Sequence, residues 1–208
     1  MIRKGLSLLV IIPLVFAACQ KKETKTKTPE SKITGNIMEL FYPDGSLQAK
    51  GPVITEEKDG KQVNLKDGDW TYFHKDSKGK AVAAQGKFVK DKYEGVWQIF
   101  YPKGALRSEK TYTDGKLNGV SKEYAESGAL KSEVYYVDNK VAGKKKSFFK
   151  DGKIEKEEYY LDGKKNGTSI TYFPDGKVQI STTYKEDKLN GLYTEYYPDG
   201  KKKMEGRY

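Results

Sequence analysis

The chain has 208 residues, 39 of them Lys or Arg and 29 Asp or Glu, for a formal charge of +10, with one His and one Cys. Single copies of His and Cys exclude a multi-ligand His/Cys metal centre and a framework of internal disulfides. The basic residues are interleaved with acids, which argues against nucleic acid and for solubility with a mild attraction to anionic headgroups.

Arg3 and Lys4 precede an apolar run from Leu6 to Phe16, and Ala17-Ala18 then lead to Cys19. That order reads as a secretory signal peptide over residues 1–18, too short to span a bilayer. A small-residue pair before a lone Cys resembles the lipobox of bacterial lipoproteins, although Phe16 stands where that family prefers Leu. The resemblance implies acylation of Cys19, including palmitate, and a membrane anchor to which each buried methylene contributes roughly 0.8 kcal/mol. With Gln20 after the Cys, it also implies the outer membrane where the cell has one. Ordinary secretion, an uncleaved anchor and an intermolecular disulfide are the other readings of Cys19.

From Gln20 to Lys32 the chain is mostly Lys, Thr and Glu with Pro29, and no apolar residue occurs before Ile33. Such a composition buries too little surface to fold, so residues 19–35 read as the lipidated Cys and a flexible linker.

Residues 36–208 read as one repeat domain. Gly95, Gly119, Gly143, Gly167 and Gly191 fall at equal steps of 24 residues, and Gly104, Gly128, Gly152, Gly176 and Gly200 keep the same step. A fixed period of this size marks a repeat array. Tyr42-Pro43-Asp44-Gly45, Phe173-Pro174-Asp175-Gly176 and Tyr197-Pro198-Asp199-Gly200 are turns: Pro presets φ, Asp suits the third position and Gly accepts positive φ. Asp114-Gly115 and Asp162-Gly163 supply a second turn between units. Strands of about six residues between such turns predict an all-β fold: an elongated, single-layer antiparallel meander of tandem hairpins. Gly68 and Gly79 belong to an irregular earlier unit, 27 residues separating Gly68 from Gly95, and Tyr42–Gly45 mark a partial one. Seven turn glycines imply about fourteen strands and, at ~4.8 Å each, a sheet of roughly 65 Å.

Three columns recur: Phe100, Tyr124, Phe148, Tyr172 and Tyr196; Tyr112, Tyr136, Tyr160, Tyr184 and Tyr208; and Leu106, Leu130, Ile154, Val178 and Lys202. A type I turn with a glycine bulge sets the first opposite the third, and alternation predicts the tyrosines on their side, forming one apolar face. The carboxylates Glu109, Glu133, Glu157 and Glu205, interrupted at Ser181, are expected on the other, solvated face. The second aromatics Tyr101, Phe149, Phe173 and Tyr197, with Trp97 and Tyr193, are expected there too, where core packing does not explain them. They are the candidate partner-binding residues, with aromatic ladders that stiffen the sheet as the alternative.

The pattern Gly-x-Trp-x-x-x-Tyr-Pro-x-Gly, then Glu-x-x-Tyr and a Gly-Lys turn, resembles MORN repeats in their bacterial variant, over residues from about 36 to 208. Departures are Ala125 for a second aromatic, Asn139 for a turn Gly and the 27-residue step. The resemblance implies a scaffold that contacts proteins or lipid. Some similar bacterial proteins carry an antitoxin label, which implies the alternative of toxin neutralisation; an envelope spacer is a third reading. A single layer leaves its apolar face to be covered by curling, by dimerisation or by a partner. His74 lies beside Lys75 and Asp76 without a nucleophile motif, and no phosphate loop or dinucleotide fingerprint occurs. The expectation is therefore a non-enzymatic, lipid-anchored binding scaffold of the cell envelope, with a protein partner and without metal, cofactor or small-molecule substrate.

Overall fold

Two kinds of turn alternate along the chain and fix the architecture. The computed structural model describes residues 30–208, so the segment read as a signal peptide, Cys19 and most of the segment read as a linker lie outside the described residues. At one edge of the sheet, Asp114 and Gly115 (φ 51° and 80°) and Asp162 and Gly163 (53° and 84°) both hold positive φ. This is the type I′ arrangement, whose twist matches that of the flanking strands. Asn139 adopts φ 68° in the same place, and its Oδ1 accepts the Leu117 N–H at 2.8 Å, which is how the array tolerates a missing glycine. At the opposite edge, the Gly104 N–H donates to the Tyr101 carbonyl and the Tyr101 N–H to the Ala105 carbonyl, both at 2.8 Å, with Gly104 at φ 91°. That is the expected type I turn with a glycine bulge.

The strands are β1 (Ser31–Thr34), β2 (Ile37–Phe41), β3 (Leu47–Lys58), β4 (Lys61–Lys66), β5 (Gly68–Phe73), β6 (Val82–Val89), β7 (Lys92–Phe100) and β8 (Leu106–Thr113), followed by β9 (Lys116–Tyr124), β10 (Leu130–Val137), β11 (Lys140–Phe148), β12 (Ile154–Leu161), β13 (Lys164–Tyr172), β14 (Val178–Lys185), β15 (Lys188–Tyr196) and β16 (Lys202–Arg207). They form one open antiparallel sheet in chain order, except that β4 pairs with β3 alone and β5 takes its place in the row. Two strands exceed the fourteen expected. One is β1, which pairs Ile33 with Met38 inside the segment read as linker, so the sheet starts ahead of residue 36. The other is β4, because the β3–β4 hairpin runs on from Val53↔Lys66 to Lys58↔Lys61, beyond the row where the other turns close. The 27-residue step is the longer connection from Phe73 to Val82, which holds a short 3-10 turn at Lys75–Ser77.

The core lies in the N-terminal half, on one face. Trp70 is fully buried and Trp97 and Phe88 nearly so, packed with Ala49 and Val53. Trp97 meets Phe88 and Tyr93 edge-on with centroids 5.0 and 4.7 Å apart, and Tyr93 continues to Tyr112 at 5.0 Å. Such offset and edge contacts are the favoured aromatic geometries, each adding about 0.5–1.5 kcal/mol beyond area burial. Both indole N–H groups are satisfied: Trp70 donates to the Pro52 carbonyl and Trp97 to that of Lys87, each at 2.9 Å.

Candidate functional site

A one-residue bulge decides which side chains share a face. Phe100 stands opposite Leu106, but Ile99 stands opposite Ser108, so Arg107 is an extra residue. Lys131, Glu155, Gln179 and Lys203 occupy the same place in later units. An inserted residue reverses the in-out alternation beyond it. The first and third columns therefore do face each other as expected, while the tyrosine column moves to the opposite side, with Trp97. We call this the first face.

Two expectations are thereby corrected. The glutamate column lies on the second face with the first aromatic column: Tyr124 donates to Glu109 at 3.1 Å and Tyr172 to Glu157 at 3.3 Å. Burial, then the Glu109 carboxylate, hold the Tyr124 phenol above its ordinary value. Glu157 also pairs with Lys144 at 3.2 Å with its side chain 14% exposed, so this part of the column is hydrogen-bonded, whereas Glu205 at its end is 43% exposed and solvated.

The second correction concerns the candidate residues. Trp97 is 4% exposed and belongs to the aromatic core. Tyr101 is half-buried, and its hydroxyl donates to the Tyr124 carbonyl of the next hairpin at 3.0 Å. Tyr42 makes the equivalent bond to the Phe73 carbonyl at 2.8 Å, and His74 Nε2 lies 3.2 Å from the Phe100 carbonyl. Tyr42, His74 and Tyr101 thus stitch hairpin to hairpin. Phe149 and Phe173 are half-buried, Tyr197 is exposed, and Tyr193 stands 3.5 Å from Glu195 on the first face. None of the six sits among the Glu109 column as expected.

Along the first face the chemistry changes. In the N-terminal half, Lys66 Nζ lies 4.7 Å from the Trp70 ring and 4.9 Å from Phe88, and donates to the Tyr72 hydroxyl at 2.8 Å. Burial foremost, then the Asp91 charge, push the Tyr72 phenol up to about 12. The Trp97 position becomes Ser121, Lys145 and Ser169 in successive units, and the aromatic core gives way to ion pairs. There Glu158, 7% exposed, has Lys165 and Lys156 Nζ at 2.7 and 2.9 Å from one oxygen. The two ammonium charges hold this carboxylate.

The hairpin is also the unit that comparison recovers. Residues 93–114, 117–138, 143–162, 165–186 and 189–208 each match the MORN repeat variant. The chain belongs to the MORN repeat variant family. Each MORN unit here is two strands around a turn closed by a glycine, and β1–β6 continue the same sheet outside the matched stretches. No curated protein matches the chain. Among solved structures, a crystal structure of a mutant of S. aureus TarM in complex with Fondaparinux, alpha-GlcNAc-glycerol and UDP is similar over 56% of this chain, at 13% identity and a TM-score of 0.34. The MORN chain spans 21% of that protein's length, and a likeness of this size bears on neither fold nor activity.

Two features of the site were missed in the sequence. One is the bulge residue Arg107 and its counterparts, which carry no turn signature. The other is the pair Gly51 and Gly86, whose missing side chains make room for Trp70 and Trp97. A Gly inside a strand pattern, outside the 24-residue series, was the available signal.

Proposed function

We propose that this MORN array is a non-catalytic protein-binding scaffold, held at a membrane of the cell envelope through lipid on Cys19. One observation carries the reading: the array is a single open sheet whose aromatic first face has no second layer over it among the described residues. A sheet face of that kind supports recognition better than chemistry, because it offers a long surface and rigid aromatic anchors. The lipobox-like start and the Lys-rich segment after it support attachment with reach, a lipid on Cys19 and a tether ahead of β1.

Membrane fractionation of wild type and Cys19→Ser, each with photo-crosslinkers on the sheet, tests the two halves separately. The wild type is expected in the membrane fraction and the variant in the soluble one, with the same protein adduct on both. Equal partition of the two forms would remove the anchor. Absence of any protein adduct would remove the scaffold, and an adduct whose partner is a toxin encoded nearby, with growth rescue, would replace scaffolding by neutralisation.

A further inference from the structure

We infer that the first face between β6 and β10 is a docking groove for an acidic peptide segment carrying an apolar anchor side chain; this deepens the scaffold reading and rests on it. Two hollows adjoin there and share Ile99. The first, about 180 Å³, is walled by Tyr72, Ala84, Tyr93, Trp97 and Tyr112. It has room for one aliphatic or aromatic side chain, and is smaller than the ~300–1,000 Å³ typical of small-molecule sites. The second, about 320 Å³, is lined by Tyr101, Arg107, Ser108, Lys110, Glu123 and Lys131, three cations against one carboxylate.

The bulge makes this hollow cationic. Arg107 and Lys131 are the extra residues of consecutive hairpins, and Arg107 reaches back over the Tyr101 ring, 5.8 Å from its centroid. In the next hairpin the bulge residue is Glu155, so the run of cationic bulge residues ends there. Among the described residues, Arg107, Lys110 and Lys131 take part in no salt bridge, whereas Lys156 and Lys165 on the same face are held by Glu158. Unpaired cations beside a recessed aromatic well are complementary to a side chain flanked by carboxylates. A second copy of a chain at +10 would bring like charge to the groove and is disfavoured.

The test is selection of phage-displayed random peptides on the full-length chain in detergent, followed by binding measurements on the selected peptides. Selected sequences are expected to carry Asp or Glu around a Leu, Phe or similar residue. Affinity should fall about tenfold or more in the double variant Arg107→Glu, Lys131→Glu and weaken with added salt. Ala84→Leu, which fills the apolar hollow, should weaken these peptides but not analogues whose anchor is Ala. Circular dichroism of each variant reports whether the sheet is intact, and the double variant Lys103→Glu, Lys201→Glu on exposed turns controls for net charge. No enrichment, enrichment of neutral or basic peptides, or affinity unchanged by the double charge reversal would overturn the groove. Preferential binding of phosphatidylglycerol vesicles through Arg107 and Lys131 would overturn it in favour of a lipid surface. A protein adduct elsewhere on the sheet, with none of these effects, would overturn the groove and leave the scaffold reading standing.

Discussion

The Trp97 ring lies flat over the backbone of Gly86 on the neighbouring strand, so that a Cβ at position 86 would stand 2.6 Å from two ring atoms. Gly51 stands in the same relation to Trp70. The two glycines let the indoles drop onto the sheet, and that is how a single layer buries two tryptophans almost completely.

Gly86→Ala is therefore expected to destabilise the protein by about 1–3 kcal/mol, the cost of overpacking a rigid ring. The backbone φ of Gly86 lies outside the positive range, so the effect is steric. Urea unfolding followed by tryptophan fluorescence measures it, and an unchanged midpoint would contradict the close approach.

Glu158 supplies a pH-dependent term. Burial raises its carboxyl, and Lys165 and Lys156 more than offset this, leaving it below the ordinary carboxylate value. A depressed folded value adds stability above the unfolded pKa of ~4.3, and that stability is lost as pH falls through the folded value. Glu158→Gln should cost about 1–3 kcal/mol at neutral pH. The gap between variant and wild type should narrow in acid; a gap that stays constant below the unfolded pKa would refute the ion-pair assignment.

Tyr101→Phe removes the hydroxyl that reaches the Tyr124 carbonyl. A loss of about 0.5–1.5 kcal/mol is expected, with local hydrogen exchange faster around β8–β9. Phe149 and Phe173 lack that hydroxyl, so Phe149→Tyr should be neutral or stabilising at most. Equal exchange in Tyr101→Phe and wild type would assign the column to partner contact alone.

At the Glu186-Asp187 turn both residues hold positive φ, 49° and 67°, without a glycine. Glu186→Asn is expected to stabilise by about 0.5–1 kcal/mol, since Asn accepts this conformation more readily. The exposed pair that it removes, Lys164 with Glu186 at 3.8 Å, contributes little. A lower melting temperature for the variant would contradict the type I′ assignment.

The period of the glycines and the chemistry of the Tyr-Pro turn made the hairpin array legible in the sequence, because only a few residue types satisfy positive φ at fixed intervals. The pairing of Phe100 with Leu106 was legible for the same reason. The faces were not: period-two counting from Leu106 reaches Tyr112 on the wrong side, since Arg107 adds a residue without any compositional mark. The strand β4 was hidden because Thr55, Glu56, Gln62 and Asn64 belong to a hairpin extension with little burial and no column to join. Lys66 was likewise indistinguishable from a surface lysine until three aromatic rings closed around its ammonium.

The central claim is that the first face, and not the second, receives a protein partner. Photo-crosslinkers placed at Glu123 on the first face and at Val96 on the second, 54% exposed, measure this directly in intact cells. A discrete protein adduct at position 123 and none at position 96 is the predicted result; adducts at position 96 alone, or equal adducts at both, would contradict it.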